Sequence, residues 1–275
     1  MNLRNILLAV ALVFSGLLSA AQSYENYADS VDFYAGKQEW QKAEEMVRAA
    51  LKKEPANPNN YILLSNLGTI HRNLGKLKEA LADYDAALSI TPNAVAILHN
   101  RAALYLEMDS ISKAYSDYER IMVRDKRDVD SRYYHGMIAL EYGNFDIARS
   151  DFESMLEIDK NSIDAKRGFA VLAKVQGDYQ KAIEYYNEII LKENRASNYI
   201  SRGECYLELG LLTEADNDIQ EAQKLEPSNP DVFVLKARSA ELRFRYDDAE
   251  MYAKKALELG AEEDLVSKFF TKKDK

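Results

Sequence analysis

The side chains that could carry chemistry in this sequence are three histidines, one cysteine and two close aspartate pairs: His71, His99, His135, Cys205, Asp216/Asp218 and Asp247/Asp248. Nucleophilic hydrolysis, phosphate binding and zinc binding each need a characteristic local pattern. The sequence contains no Gly-x-Ser-x-Gly motif, no phosphate-binding glycine loop and no zinc-ligand spacing. The aspartate pairs lack the pattern of a calcium loop and fit solvated helix surfaces. We therefore expect no enzyme activity, no metal and no cofactor.

The positions of the histidines and the cysteine favour structural roles. His71 and His135 fall on positions that we expect to be buried in a helix core, whereas His99 falls on a predicted binding surface. Cys205 has no second cysteine in the chain, so it is either a buried, inert thiol or pairs with another chain. Its place in the middle of a predicted helix favours burial.

An internal sequence repeat predicts the secondary structure that holds these residues in place. Seven alanines recur at intervals of 37, 34, 34, 34, 33 and 34 residues: Ala43, Ala80, Ala114, Ala148, Ala182, Ala215 and Ala249. Such a period is typical of stacked supersecondary units. With each alanine as position 20 of a 34-residue unit, position 8 is Gly or Ala in units two to seven, position 17 is large and apolar, and position 15 is Gly in four units. Apolar residues at three- and four-residue steps predict two antiparallel helices per unit.

These positions resemble the tetratricopeptide repeat. The residues that carry the resemblance are Gly68, His71, Gly75, Ala80, Tyr84, Ala87 and Pro92 in unit two, and Gly203, Tyr206, Gly210, Ala215, Ala222 and Pro227 in unit six. The resemblance implies an all-α fold, a right-handed superhelical solenoid of about seven helix-turn-helix repeats with a short C-terminal capping helix. The pattern is broken at position 15 in three units, where Gln38, Asp109 and Phe244 replace glycine.

The period also predicts the organisation of the chain. The array is expected over residues 22–261, with repeats near 24–57, 61–94, 95–128, 129–162, 163–195, 196–229 and 230–261. Residues 262–275 are expected to form the capping helix and a tail, because Leu265, Val266, Phe269 and Phe270 have helical spacing. A cap would cover the apolar flank that the last repeat exposes.

Residues 1–21 have the layout of a secretory signal peptide. Arg4 precedes a predominantly apolar run of thirteen residues, 6–18, and the small residues Ser19, Ala20 and Ala21 follow. Cleavage after Ala21 would leave Gln22 as the first residue. The alternative is an uncleaved membrane anchor, although a membrane-spanning helix needs roughly 20 apolar residues. We expect an exported protein, periplasmic or secreted, whose mature chain is not inserted in a membrane.

Composition narrows the classes of partner. The formal net charge is −9, which disfavours nucleic acid and anionic membrane surfaces as partners. A single cysteine and the absence of any Asn-x-Ser/Thr sequon favour a bacterial envelope over a eukaryotic secretory pathway.

In the family that the chain resembles, positions 2, 5, 6, 9 and 12 of each first helix form a concave, partner-binding face. The candidates on this face are Asn66, His99, Asn100, Tyr133, Tyr134, Met137, Leu140, Arg167, Val171 and Lys174. Tyrosine and methionine are enriched in interface cores, so we expect a protein or peptide partner. The alternative is that Tyr133 and Leu140 only pack on neighbouring repeats.

Some members of that family clamp the acidic C-terminal tail of cytosolic chaperones with asparagines and cations. Asn66 and Asn100 match the asparagines, but Ile62, Asp130 and Tyr134 stand at the cationic positions. Without those charges the clamp loses its attraction for a carboxylate. The function expected from the sequence is therefore a non-enzymatic interaction scaffold of the bacterial cell envelope. The alternative function is a structural or assembly component of an oligomeric envelope complex.

Overall fold

The computed structural model describes residues 24–270, which form fourteen helices of 12 to 14 residues and one short terminal helix. The helices are α1 Tyr24–Gly36, α2 Trp40–Lys53, α3 Asn60–Asn73, α4 Leu77–Ile90, α5 Val95–Glu107, α6 Ile111–Arg124, α7 Val129–Glu141, α8 Phe145–Ile158, α9 Ile163–Val175, α10 Tyr179–Ile190, α11 Ala196–Glu208, α12 Leu212–Leu225, α13 Pro230–Leu242, α14 Tyr246–Glu258 and α15 Glu263–Val266. A 3₁₀ turn, Ser267–Phe269, follows α15. No strand occurs between residues 24 and 270, so the all-α prediction is confirmed.

The chain divides into two compact units, whose described parts are residues 24–131 and 132–270. In the first unit α1 packs on α2, α3 on α4 and α5 on α6, and α2 and α4 also contact the next helix pair. In the second unit α9 packs on α10, α11 on α12 and α13 on α14, and α8, α10 and α12 contact the pair that follows. The helices therefore form helix-turn-helix pairs that stack on one another within each unit.

Small residues line the inside of all seven repeats, and large aromatic rings accompany them in repeats two to five. The seven alanines at position 20 are all buried, and so are the aromatic residues at position 24, Tyr84, Tyr118, Phe152 and Tyr186. A Cβ on Gly68 would lie 2.7 Å from Cε1 of Tyr84, and one on Gly136 would lie 2.7 Å from Cε1 of Phe152. In repeats two and four the ring at position 24 therefore leaves no room for a Cβ at position 8.

The turn inside each repeat needs one residue in the left-handed conformation. Four repeats supply glycine, at Gly75, Gly143, Gly177 and Gly210, with φ between 70° and 78°. In the three repeats that lack this glycine, Gln38, Asp109 and Phe244 adopt φ of 58°, 52° and 60°. The substitutions therefore leave the turn unchanged and place backbone strain on a residue with a side chain.

The end of the described chain covers the last repeat. Val266 and Phe269 are buried against a cluster that contains Ala253 and Ala256 of α14, and Phe270 packs beside them. Leu265, which the spacing predicts to join this contact, is instead 48% exposed, because it precedes the buried Val266 by one residue and so points about 100° away from it around the helix axis. Residues 271–275 and the signal peptide predicted over 1–21 lie outside the described residues. No helix between residues 24 and 270 combines the length and the apolar character that crossing a membrane requires.

Candidate functional site

The candidate binding surface in the second unit begins on α7. Tyr134 is 44% exposed, whereas Tyr133 and Met137 are half-buried. The rings of Tyr133 and Tyr134 meet edge to face with centroids 5.5 Å apart, and Tyr133 also lies 6.5 Å from the ring of Phe152. Burial raises the pKa of Tyr133. Tyr133 therefore anchors this part of the surface to the core, and Tyr134 presents its ring to solvent.

Helix α9 supplies the second part of the surface. Arg167, Val171 and Lys174 follow one another at spacings of four and three residues, so they share one face of α9. The positive charge of Arg167 acts to lower the pKa of Tyr133, against the larger effect of burial, so Tyr133 of α7 and Arg167 of α9 are neighbours. The structure thus brings together Tyr133, Tyr134 and Met137 with the Arg167 face of α9.

The two cations of this surface are neutralised within the protein. Arg167 forms ion pairs with Asp164 and with Glu193, the latter at 2.7 Å. Lys174 lies 2.5 Å from Glu204 of α11. Burial alone would lower the pKa of Lys174, but the charge of Glu204 and its hydrogen bond outweigh burial and raise it. The surface therefore offers no unpaired positive charge from either residue.

Leu140 does not contribute to an exposed surface. The sequence placed it on the inner face, but its side chain is only 6% exposed. Leu140 follows Gly136 by four residues, so it shares the helix face that packs into the repeat. Of the four candidates on α7, Tyr134 is therefore exposed, Tyr133 and Met137 are half-buried, and Leu140 is buried.

The three remaining candidates lie in the first unit. His99 is engaged internally, because its Nε2 lies 2.9 Å from Oδ2 of Asp128 and its ring meets Tyr118 edge to face at 6.1 Å. Burial would raise the pKa of Asp128, but the bonds from His99 and Ser131 outweigh it and lower that pKa. Asn66 and Asn100 are half-buried, and neither amide side chain hydrogen-bonds another residue of the described chain. Both amides therefore keep donors and acceptors for an outside group.

The structure also contains polar pairs that were not predicted from the sequence. A basic side chain at position 7 of a first helix contacts an aspartate at position 23 of the second: Arg101 with Asp117 at 2.7 Å, His135 with Asp151 at 2.5 Å and Arg202 with Asp218 at 2.6 Å. The constant separation of sixteen residues was the available signal. In repeat five the same positions hold Phe169 and Tyr185, whose rings stack at 5.6 Å.

Histidine and cysteine side chains take structural places. Nδ1 of His71 lies 2.5 Å from Asp83 of its own repeat and Nε2 lies 3.4 Å from Glu44 of α2, so His71 joins two repeats. Cys205 is completely buried, its thiol donates to the Ser201 carbonyl at 3.3 Å, and burial raises its pKa to about 11. Across residues 24–270 there is no group of three or more His, Cys, Asp or Glu side chains arranged to hold a metal ion.

Comparison with known proteins identifies the fold. Sequence models described as TPR repeat or tetratricopeptide repeat match residues 68–109, 133–199 and 196–229. A tetratricopeptide repeat protein from Parabacteroides merdae ATCC 43184 is 32% identical, with a TM-score of 0.80, over 90% of this chain and 98% of that one. The chain belongs to the tetratricopeptide-repeat family. TPR proteins of this kind generally act as non-enzymatic scaffolds for protein–protein interaction.

Two solved structures of lower sequence identity share the fold with this chain. PilW, described as a widely conserved type IV pilus biogenesis factor, is 16% identical with a TM-score of 0.64 and covers 77% of this chain and 97% of its own. The pilF protein of Pseudomonas aeruginosa is 15% identical with a TM-score of 0.60 over 76% and 96% of the two chains. No curated protein sequence is a significant match.

Proposed function

We propose that this TPR protein is a non-enzymatic scaffold of the bacterial cell envelope and that it binds a segment of a partner protein on α7 and α9. The observation that carries the proposal is the exposure of Tyr134 beside Met137 on one face of α7. Tyrosine anchors commonly carry a large share of interface energy. Because Tyr133 packs against both Tyr134 and the buried ring of Phe152, the anchor rests on a packed support.

The electrostatics of this surface define the chemistry of the partner segment. Arg167 and Lys174 already have carboxylate partners, so they add no net attraction for an acidic tail. An uncharged segment with apolar or aromatic side chains suits the surface best. In the first unit, Asn66 and Asn100 have amide groups that can hydrogen-bond a peptide backbone.

Site-specific cross-linking in the native host tests this proposal. A photoreactive phenylalanine analogue replaces Tyr134. In the matched control it replaces Tyr142, which lies just after α7 and is 53% exposed. We expect one discrete cross-linked partner from position 134 and none from position 142. Equal cross-linking at both positions would contradict a dedicated binding surface.

The location in the envelope is a separate part of the proposal. It rests on the signal-peptide layout of residues 1–21. N-terminal sequencing of protein from the native host should find Gln22 as the first residue. Recovery of the chain with Met1 intact in a membrane pellet would support the uncleaved anchor instead.

An assembly role is the second candidate function, and the exposed apolar side chains of the last repeat favour it. Phe244 is 78% exposed and Tyr246 43%, and their rings meet edge to face with centroids 6.5 Å apart. Exposed apolar groups in proximity are typical of interaction sites. Sedimentation velocity over a range of concentrations separates the two functions, because an assembly component self-associates and a peptide-binding scaffold sediments as a monomer.

A further inference from the structure

The ion pair between positions 7 and 23 is a recurrent feature of this array. Repeats three, four and six each place a basic side chain at position 7 and an aspartate sixteen residues later, at distances of 2.7, 2.5 and 2.6 Å. In repeats three and six the aspartate neutralises an arginine that is partly withdrawn from water. A half-buried cation is stable when a carboxylate accompanies it.

The last repeat retains the cation but lacks the carboxylate. Lys236 stands at position 7, and position 23 is Tyr252. The ammonium group of Lys236 lies 5.5 Å from the ring centroid of Tyr252 and 5.3 Å from that of Phe233. It donates one hydrogen bond, to Oε1 of Gln223 at 2.6 Å. A lysine has three N–H donors, so two remain without an acceptor among residues 24–270.

No other half-buried lysine or arginine of the described chain is in this state. Residues 24–270 contain eleven such side chains, and ten have a carboxylate within 4.0 Å: Arg72, Arg101, Arg120, Arg132, Lys166, Arg167, Lys174, Arg202, Arg238 and Arg243. Lys236 is the eleventh. Burial alone lowers its pKa, since no neighbouring charge opposes that effect.

A cavity of about 210 Å³ opens beside Lys236, between α12, α13 and α14. Its charged and polar lining includes Asp216, Ser239, Arg243 and Arg245. Asp216 is used internally, because it accepts from Ser239 at 2.7 Å and from Arg243 at 2.5 Å. Arg245 pairs with Asp248 at 2.5 Å. The remaining charge in the cavity belongs to Lys236.

We propose that this cavity binds the carboxylate group of a ligand, in the place that the position-23 aspartate occupies in repeats three, four and six. The ligand carboxylate accepts hydrogen bonds from the two free N–H groups of Lys236. A water molecule takes up roughly 30 Å³, so the cavity has room for a carboxylate and for ordered water around it. The site lies on α12 to α14, so it is distinct from the surface proposed on α7 and α9.

The test is a titration of the folded protein with sodium acetate, observed by NMR at the Lys236 side chain and the Ser239 amide. Sodium chloride at equal ionic strength is the salt control, since screening alone also shifts resonances. Wild-type protein should give a saturable shift with acetate and none with chloride. Identical shifts with the two salts would overturn the proposal.

Two variants remove the site in different ways. Lys236→Met deletes the cation, and Tyr252→Asp supplies the missing carboxylate from within, as Asp218 does in repeat six. Each should weaken acetate binding by about tenfold or more, followed at the Ser239 amide. Lys255→Met, on an exposed lysine of the same repeat, should leave it unchanged. If Tyr252→Asp binds acetate as tightly as wild type while its helix content is intact, the proposal is wrong.

A second arm identifies the source of the carboxylate. Acetate is compared with a blocked glutamyl peptide and with its glutaminyl counterpart, all followed at Ser239. Tighter binding of the glutamyl peptide assigns the site to a partner protein, and tighter binding of acetate assigns it to a small free acid. Equal binding of the glutamyl and glutaminyl peptides, with no response to acetate, would contradict the site itself.

Discussion

Arg202 of α11 hydrogen-bonds both carboxylate oxygens of Asp218 of α12, with Nε donating at 2.8 Å and Nη2 at 2.6 Å. Arg101 and Asp117 repeat the arrangement between α5 and α6 at 2.8 and 2.7 Å. Bidentate pairs of this kind combine charge with a fixed geometry. They join the first and second helices of repeats three and six.

Replacing Asp218 with leucine should destabilise the protein by about 3 kcal/mol, because Arg202 is then left without its carboxylate in a partly buried place. The double replacement Arg202→Leu and Asp218→Leu should recover most of that loss, since apolar side chains can fill the same space. Urea denaturation of both variants and of Arg202→Leu gives the coupling energy. Purely additive effects would show that the pair contributes no specific interaction.

The repeat register explains why most of the fold could be predicted from the sequence. Each alanine at position 20 and each aromatic residue at position 24 is buried, because the 34-residue period places it at the same helix contact in each repeat where it occurs. The turn glycines could be predicted in the same way, because each is favoured by the positive φ at its own position and does not depend on a distant partner. Patterns that depend on one chain position at a time are therefore visible in the sequence.

The candidate site was less accessible to prediction, because it depends on pairs of side chains. From the sequence, Arg167 and Lys174 are expected to offer positive charge to a partner. In the structure Glu193, 26 residues after Arg167, and Glu204, 30 residues after Lys174, neutralise them. Tyr133 appears equivalent to Tyr134, yet only Tyr134 is exposed to solvent. Helix periodicity predicts the helix face on which a residue lies, but it does not predict which side chain of the next repeat that residue contacts.

Replacing Phe244 with glycine should stabilise the protein by about 1 kcal/mol, because a side chain at positive φ strains the backbone. Little packing is lost, since Phe244 is 78% exposed. Gly210→Ala, in the equivalent turn of repeat six at φ 70°, is the reciprocal change and should destabilise by a similar amount. The check is the urea midpoint of each variant, and a destabilised Phe244→Gly would show that the ring has contacts worth more than the strain.

Replacing Gly136 with alanine should destabilise the protein by about 1–3 kcal/mol, because the added Cβ would lie 2.7 Å from Cε1 of Phe152. Gly36→Ala at the end of α1 is the matched control, since nothing lies within 4 Å of its added Cβ. That change should alter stability by less than about 0.5 kcal/mol. Thermal unfolding measures both, and equal effects would argue against the close contact of α7 with Phe152.

Cys205 should resist thiol reagents in the native protein at pH 8. Burial raises its pKa to about 11, so the reactive thiolate is scarce until the pH approaches that value. In urea the thiol should react at the rate of a free cysteine, which provides the internal control. Fast iodoacetamide labelling of the folded chain at pH 8 would contradict the burial of this side chain.

The measurement that tests the central claim most directly is the affinity of the partner cross-linked at position 134 for wild-type protein, Tyr134→Ala and Tyr142→Ala. Truncating a tyrosine anchor commonly removes at least about 2 kcal/mol of binding energy, so Tyr134→Ala should weaken binding at least about tenfold. Tyr142→Ala should bind like wild type, because its ring is exposed just beyond α7 and outside the proposed surface. Circular dichroism confirms equal helix content in all three. Loss of binding in Tyr142→Ala with none in Tyr134→Ala would contradict the proposed function.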